Sequence, residues 1–213
     1  QSNLGAAATA CKDAGANAIS MSLGGGNSVT ENNIFQDLYD NHNIVNIAAA
    51  GNDWTTTVEP PWPQFPAYVK GVLSVGAIRS DGIRTDYSNL PQVPTQPQGV
   101  DITDVLTDFN AKSGQNENDA LYAYGGTANA GLIGLYLSNF RNVDTGAMIA
   151  NNCGIAHWAG TSFATAMVTG WMAWLCLRGK TVKEAKDILA TLPKAHGLPS
   201  LMSMQEGFPV DIP

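Results

Sequence analysis

Apolar and small residues form short runs that alternate with mixed stretches along the first quarter of the chain. An Ala-rich stretch over residues 3–14 stops at Gly15 and predicts a helix, because glycine often terminates helices. Residues 18–22 and 44–49 are continuous apolar runs, which predict strands buried on both faces. Thr30 can cap a helix between them. The alternation predicts an α/β fold in three layers, with a mostly parallel sheet and helices on both faces.

A second apolar stretch near the end of the chain predicts two more helices. Residues 162–177 are apolar on nearly every side, which predicts a helix buried nearly all round. Thr181 followed by Glu184 forms a capping box for a last helix that ends before Pro193.

Ser162 stands at the start of the apolar helix, after Gly160 and Thr161. A helix N-terminus carries unpaired N–H groups and a partial positive charge, which can stabilise an oxyanion that forms beside the serine. The position therefore suits a nucleophile. The alternative is that Ser162 only caps the helix, since serine is preferred there.

Residues 17–25, 44–52 and 160–170, in this order, resemble the subtilisin-like serine protease family, the subtilases. The stretch 65–78, continued to Tyr87-Ser88-Asn89, looks like the family strand that follows the oxyanion asparagine. The resemblance covers residues 1–101 and 158–192. In parallel sheets, ligands bind beyond the carboxyl ends of the strands, which gives a second reason to consider the strand ends together.

The resemblance implies roles for eight residues. Ser162 would attack the scissile carbonyl, and Asn52 would donate its carboxamide N–H to the oxyanion, with the Ser162 backbone N–H as a second donor. An extended substrate would pair with the backbone of Ser22, Leu23 and Gly24, and its side chain would enter a pocket lined by Ala49, Ala50 and Gly51. The alternative for Asn52 is that it is only a turn residue after Gly51. The alternative for the six substrate-binding residues is ordinary tight packing of the strands.

Two features depart from the family pattern. The family's catalytic Asp and His precede the Ser22 motif, and none of the histidines here, His42, His157 and His196, lies in a matching motif. Ala166 stands where the family has a proline. We therefore expect a partner, an N-terminal fragment of the same precursor that carries Asp and His, without which the fold is incomplete.

Residues 1–213 are expected to form the C-terminal part of one catalytic domain. The family connects the strand near Asp101 to the nucleophile by a shorter path, so residues 103–157 are interpreted as an insertion of unknown role.

Composition excludes several function classes. A net charge of −7 without any Lys/Arg cluster argues against nucleic-acid binding, and no apolar run is long enough to span a membrane. Cys11 and Cys176 lie in apolar helical contexts and are expected to be buried. The resemblance implies secretion and no required cofactor. A weaker calcium site of the family resembles the carbonyls near Ala67 and Val69 with Asp101 nearby, and the alternative is that Asp101 is a solvated loop residue.

The expected function is peptide hydrolysis through an acyl-enzyme on Ser162, with a polypeptide as the substrate. The alternative is an inactive subtilase-like binding or structural module. An α/β-hydrolase is less favoured, because the G-x-S-x-G motif of that class lacks its second glycine here, where Ala164 stands.

Overall fold

A computed structural model describes residues 3–25, 29–54, 61–92, 120–127, 129–136, 139–141, 145–195 and 198–201. These residues form helices and strands in the order α1 (Leu4–Asp13), β1 (Ala18–Met21), α2 (Val29–His42), β2 (Val45–Ala49), β3 (Val72–Ile78), β4 (Ala120–Tyr124), β5 (Leu132–Leu135), β6 (Phe140–Arg141), β7 (Met148–Ile149), β8 (Ile155–Trp158), α3 (Thr161–Leu177), α4 (Val182–Ala190), β9 (Lys194–Ala195) and β10 (Leu198–Leu201).

The main sheet has the strand order β1-β2-β3-β4-β10-β9. Strands β1 to β4 run parallel to their neighbours, β10 is parallel to β4, and only β9 is antiparallel. The central strands β2 and β3 are buried along their whole length, as the apolar runs predict. The α/β class with a mostly parallel sheet is therefore confirmed.

Helices cover both faces of the sheet. Alternate strand residues point to opposite faces, so the apolar strands present hydrophobic side chains on both faces. On one face, Val45 and Ile47 of β2 pack in a cluster with Val168 and Met172 of α3 and with residues of α4. On the other face, Ala48 packs with residues of α1 and α2. The predicted three-layer architecture is confirmed.

The strand β4 lies inside the stretch interpreted as an insertion. Residues 120–124 pair with β3 in register and are largely buried, so this part of the stretch belongs to the central sheet. Strands β5 to β8 form two small antiparallel pairs, β5 with β8 and β6 with β7. Asp101 and residues 103–119 lie outside the described residues. Strand β1 pairs only with β2 in the part of the chain that the structure describes, so its other edge is open.

Two helix predictions need correction. The second helix begins at Val29, so Thr30 lies within its first turn and cannot be the cap. The helix α3 is not buried on every side, because the sheet covers only one side of it. Its outward residues Ala166, Gly170, Ala173 and Leu177 are exposed. By contrast, Thr181 and Glu184 form both hydrogen bonds of the predicted capping box.

All three cysteines are free thiols. Cys11 is exposed, which contradicts the predicted burial, because α1 turns only Gly5 and Ala8 inward. Cys176 is half-buried, and this burial raises the pKa of its thiol. No helix in the described ranges is both long and apolar enough to cross a bilayer.

Candidate active site

The carboxyl ends of β1 and β2 meet the N-terminus of α3. Ser22 directly follows β1, and its hydroxyl donates a hydrogen bond to the carbonyl oxygen of Ser162 at 2.7 Å. The Ser162 hydroxyl donates in turn to the carbonyl oxygen of Ser22 at 3.3 Å. Two residues 140 positions apart are thus held together by reciprocal hydrogen bonds.

Asn52 is held against the same helix start. Its carboxamide oxygen Oδ1 accepts hydrogen bonds from the backbone N–H of Thr161 at 2.8 Å and from the Thr161 hydroxyl at 3.0 Å. The Thr161 Oγ1 atom also accepts from the backbone N–H of Gly51 at 3.2 Å. Because Oδ1 is bound to Thr161, the amide nitrogen Nδ2 is the group left to interact elsewhere, and no described residue hydrogen-bonds it.

Gly160 brings the chain into α3 close to this carboxamide. Its φ is 156°, and a Cβ built there would lie 3.4 Å from Asn52 Nδ2, so glycine leaves the space beside the amide open. The Gly160 N–H donates to the carbonyl oxygen of Gly125 at 2.9 Å. The Tyr87 hydroxyl lies 2.9 Å from that oxygen and 2.7 Å from the Gly126 carbonyl oxygen. Burial raises the pKa of Tyr87, so its phenol keeps the proton that it donates here.

Ser162 is the second residue of α3 and is half-buried. The N-cap position is occupied by Gly160, which has no side chain to cap the helix, so Ser162 lies two residues inside the cap. The alternative that Ser162 serves as the helix cap is therefore wrong. The backbone N–H of Ser162 makes no hydrogen bond within the described ranges, so it is open to an acceptor.

The predicted substrate edge lies at the surface. Leu23 is 45% exposed, and Ser22 and Gly24 are exposed too. The next backbone hydrogen bond is made by Gly25, whose N–H donates to the Phe65 carbonyl oxygen at 3.0 Å. The Ser22 carbonyl oxygen accepts from the Ser162 hydroxyl, whereas the backbone groups of Leu23 and Gly24 make no hydrogen bond within the described ranges.

The other three predicted substrate residues are packed inside. Ala49, Ala50 and Gly51 are buried. The Ala50 carbonyl oxygen accepts from Gln64 N at 2.8 Å and from Asn89 Nδ2 at 3.2 Å. A side-chain pocket lined by these three residues stays a prediction.

The described histidines do not reach Ser162. His42 lies at the end of α2, where its Nε2 is 3.2 Å from the Asp37 Oδ2 atom. A hydrogen bond from Asn41 is the main cause that lowers the pKa of Asp37, and His42 adds to it. His157 is exposed on β8, paired in register with Ile133. His196 lies outside the described residues. The site therefore combines a hydroxyl and two candidate oxyanion donors without a described general base.

Two residues of the site were missed from the sequence. Thr161 orients Asn52, and the Asn89 side chain connects Ala50, Asp53 and Trp62 by hydrogen bonds of 2.9–3.2 Å. The motif around Ser162 includes Thr161, but the sequence does not show that Asn52 is the hydrogen-bond partner of Thr161. Asn89 stood in the Tyr87-Ser88-Asn89 motif, but no local pattern indicates partners so distant in the chain.

No group of three or more potential metal-ligating His, Cys, Asp or Glu side chains occurs among the described residues. The predicted calcium site depends on Asp101, which lies outside them. The Val69 carbonyl oxygen accepts from the backbone N–H of Val72 at 3.0 Å. The calcium site stays a prediction.

A model of the subtilase family matches residues 1–192, which is most of the chain. The chain belongs to the subtilase family. The order and spacing of the three site segments in the sequence are thus explained by common descent with these proteases.

Solved structures agree in fold with this subtilase chain. The prenylagaramide maturation protease PagA matches with a TM-score of 0.59 at 23% identity, covering 94% of this chain and 64% of that protein. The self-cleaved protease domain of PatA matches with a TM-score of 0.62 at 22% identity, covering 94% and 63%. The PatG macrocyclase in complex with peptide matches with a TM-score of 0.61 at 19% identity, covering 95% and 53%.

This subtilase chain therefore spans between about half and two thirds of those structures. No curated protein matches it.

Proposed function

We propose that this chain is the nucleophile-bearing part of a serine endopeptidase that cleaves peptide bonds through an acyl-enzyme on Ser162. The observation that carries the proposal is the hydrogen bonding of Asn52 Oδ1 to Thr161, the residue next to Ser162. It leaves the Asn52 amide N–H and the Ser162 backbone N–H as donors beside one hydroxyl, which is the arrangement that an acyl-transfer site needs.

The chemistry divides into two steps. The Ser162 Oγ atom forms a bond to the scissile carbonyl carbon while its proton passes to a general base, and the two N–H donors stabilise the oxyanion. The base returns the proton to the leaving amine as the peptide bond breaks. Water then attacks the acyl-enzyme with the same proton transfers, which releases the acid and restores the serine.

The general base belongs to a second polypeptide segment in this proposal. In the described structure the Ser162 hydroxyl donates to the Ser22 carbonyl oxygen, which is not a base. We propose that an N-terminal fragment of the same precursor supplies the Asp and His. Extended peptide substrate would lie along residues 22–24, which are exposed. Secretion, implied by the resemblance, is part of the same proposal, and localisation of the tagged precursor tests it.

The test is covalent labelling of the assembled protein with a fluorophosphonate, together with hydrolysis of peptides. We expect one label on Ser162, its loss in Ser162→Ala, and full labelling in Ser80→Ala, which removes an exposed serine elsewhere. An unlabelled assembly without peptide hydrolysis would contradict the proposal.

The second candidate function is an inactive binding or structural module of subtilase shape. The favouring observation is that no described His, Asp or Glu hydrogen-bonds Ser162. In that case peptides would bind along residues 22–24 without being cleaved, and Ser162→Ala would leave peptide affinity unchanged.

A further inference from the structure

Asn89 is bound to residues on both sides of Asn52, the candidate oxyanion donor. Its carboxamide oxygen Oδ1 accepts from the backbone N–H of Asp53 at 2.9 Å, and its backbone N–H donates to the Gly51 carbonyl oxygen at 3.0 Å. Its carboxamide nitrogen Nδ2 donates to the Ala50 carbonyl oxygen at 3.2 Å. A single asparagine therefore holds residues 50, 51 and 53, which flank Asn52.

The partners of the Asn89 carboxamide fix its orientation. A backbone N–H can only donate, so the Asp53 N–H selects the oxygen end of the amide. A carbonyl can only accept, so the Ala50 and Trp62 carbonyl oxygens select the nitrogen end, the latter at 3.1 Å. The nitrogen also donates to the Asp53 carboxylate at 3.0 Å. Both ends of the group are bonded, and Asn89 is only 1% exposed, so the amide is held in one orientation.

The oxyanion loop, residues 51–54, receives these bonds where the sheet stops supplying them. The ladder between β2 and β3 ends with the bond from the Ala50 N–H to the Val75 carbonyl oxygen at 2.9 Å. Further along, the Trp54 N–H donates to the Tyr87 carbonyl oxygen at 3.1 Å. Hydrogen bonds from the chain that follows β3 thus replace those of the sheet along the loop.

Asn89 is fixed in turn to the central sheet through the residue before it. The Ser88 hydroxyl donates to the Asn89 carbonyl oxygen at 2.9 Å and accepts from the backbone N–H of Ala77 in β3 at 2.9 Å. Ser88 is fully buried, and β3 is buried along its whole length. Since close-packed strands move little, a side chain anchored to them can hold an exposed loop in place.

The direction of the Asn52 amide depends on its backbone as well as on its side chain. Thr161 binds the carboxamide oxygen of Asn52. The backbone groups of Asn52 itself make no hydrogen bond within the described ranges, so its neighbours set the position of its backbone. An oxyanion donor is effective when it already points at the place where charge develops, because no reorganisation is then needed during the reaction.

We infer that Asn89 is a positioning residue for the oxyanion donor, which fixes the backbone on both sides of Asn52 so that the amide N–H faces the site beside Ser162. This inference rests on the proposed function, since it takes Asn52 as an oxyanion donor. It adds a buried residue that acts on the chemical step only through Asn52.

A double-mutant cycle between Asn89 and Asn52 tests the inference in the assembled protein. We expect Asn89→Ala to lower kcat for peptide hydrolysis by about 10–100-fold, with KM within about twofold, because a displaced donor weakens only the transition state. In the Asn52→Ala background the same change should lower kcat by no more than about twofold, since the donor that Asn89 positions is already gone. Titration with a fluorophosphonate counts the folded sites, so misfolded protein does not enter kcat.

Asn46→Ala is the matched control. Asn46 in β2 is a fully buried asparagine too, and its Nδ2 atom donates to the Phe35 carbonyl oxygen in α2 at 3.1 Å. Its replacement should lower the stability of the chain but leave kcat unchanged in both backgrounds. If Asn89→Ala does not fold, Asn89→Ser carries the same test, because it leaves a smaller cavity.

Hydrogen exchange of the oxyanion loop supplies a readout that does not require activity. We expect its amides to exchange faster in Asn89→Ala than in the wild type or in Asn46→Ala. Unchanged exchange would overturn the inference, and so would an unchanged kcat or an equal loss of kcat with and without the Asn52 side chain. A wild-type assembly that neither cleaves peptides nor takes the label, with the loop still loosened by Asn89→Ala, would instead contradict the proposed function and leave the positioning of the loop standing.

Discussion

The carboxamide oxygen of Asn52 accepts two hydrogen bonds from Thr161, one from its backbone N–H and one from its hydroxyl. The two residues are 109 positions apart, yet this contact sets the orientation of the amide. Since an amide group has one oxygen and one nitrogen end, fixing the oxygen determines where the N–H donors point. Thr161 is therefore a positioning residue for a donor that it does not itself provide.

Thr161→Val tests this relationship. The substitution keeps the shape of the side chain but removes the hydroxyl that Asn52 and the buried Gly51 N–H share. We expect a loss of about 1–3 kcal/mol in the free energy of unfolding, since a buried donor loses its partner, and a lower kcat with an unchanged KM. Urea unfolding and peptide hydrolysis by the assembled protein measure the two effects.

Thr165→Val is the matched control for that variant. Its hydroxyl is also buried in α3, but it donates only to the Thr161 carbonyl oxygen within the helix. It should change stability by less than about 1 kcal/mol and leave kcat unchanged. Equal effects of the two variants would show that Thr161 has no special role.

Asn52→Ala removes the candidate oxyanion donor. We expect kcat to fall by about 10²–10³, the effect known for this kind of donor in subtilisin, while KM stays within about twofold. The exposed Asn41→Ala, which loses only a hydrogen bond to Asp37, is the control and should not change either constant. A raised KM with a normal kcat would assign Asn52 to substrate binding or to the turn instead.

Gly51→Ala should destabilise the chain. Gly51 has a φ of 115°, and a Cβ there would lie 2.5 Å from the Nδ2 atom of Asn89. We expect a cost of about 3 kcal/mol, from backbone strain together with displacement of Asn89. Gly15→Ala has a positive φ of 83° but meets no described atom within 4 Å, so it should cost only about 1 kcal/mol. Thermal unfolding of both variants measures the difference, and equal costs would exclude the contact with Asn89.

We expect Tyr68 to contribute to the loss of stability at alkaline pH. Burial raises the pKa of this tyrosine from 10.0 to about 12, so the folded chain holds the phenol neutral while the unfolded chain ionises it. The stability that this group contributes is complete below pH 10, falls between pH 10 and about 12, and falls no further above that. Tyr68→Phe should reduce the loss of unfolding free energy between pH 9 and pH 12. An unchanged pH profile would contradict this assignment.

The strands and helices of the site were predictable because their patterns are local. Apolar runs predicted β1 and β2 to within a residue at either end, and the Thr181 capping box predicted the start of α4. The predictions failed where the local pattern fits more than one helix start or more than one buried side of a helix. Thr30 lies inside α2, and Cys11 faces solvent although its surroundings in the sequence are apolar.

The exposed side of α3 shows why burial is harder to predict than helicity. Apolar residues occur on nearly every side of this helix, so the sequence predicts that it is buried on all sides. The sheet covers only one side, however, and Ala166, Gly170 and Leu177 face outward. Which side of an apolar helix is covered depends on the neighbouring elements rather than on the helix itself.

The amino-acid sequence by itself determined the layers of the fold, the family, and the two candidate groups at residues 52 and 162. These depend on residue periodicity and on short motifs, which the order of the chain carries directly. Only the tertiary structure decided that Thr161 holds Asn52, that Ser22 and Ser162 bond reciprocally, and that Asn89 binds the residues on both sides of Asn52. Each of these joins residues 36 to 140 positions apart, and such contacts form only when the sheet brings the strand ends to one edge.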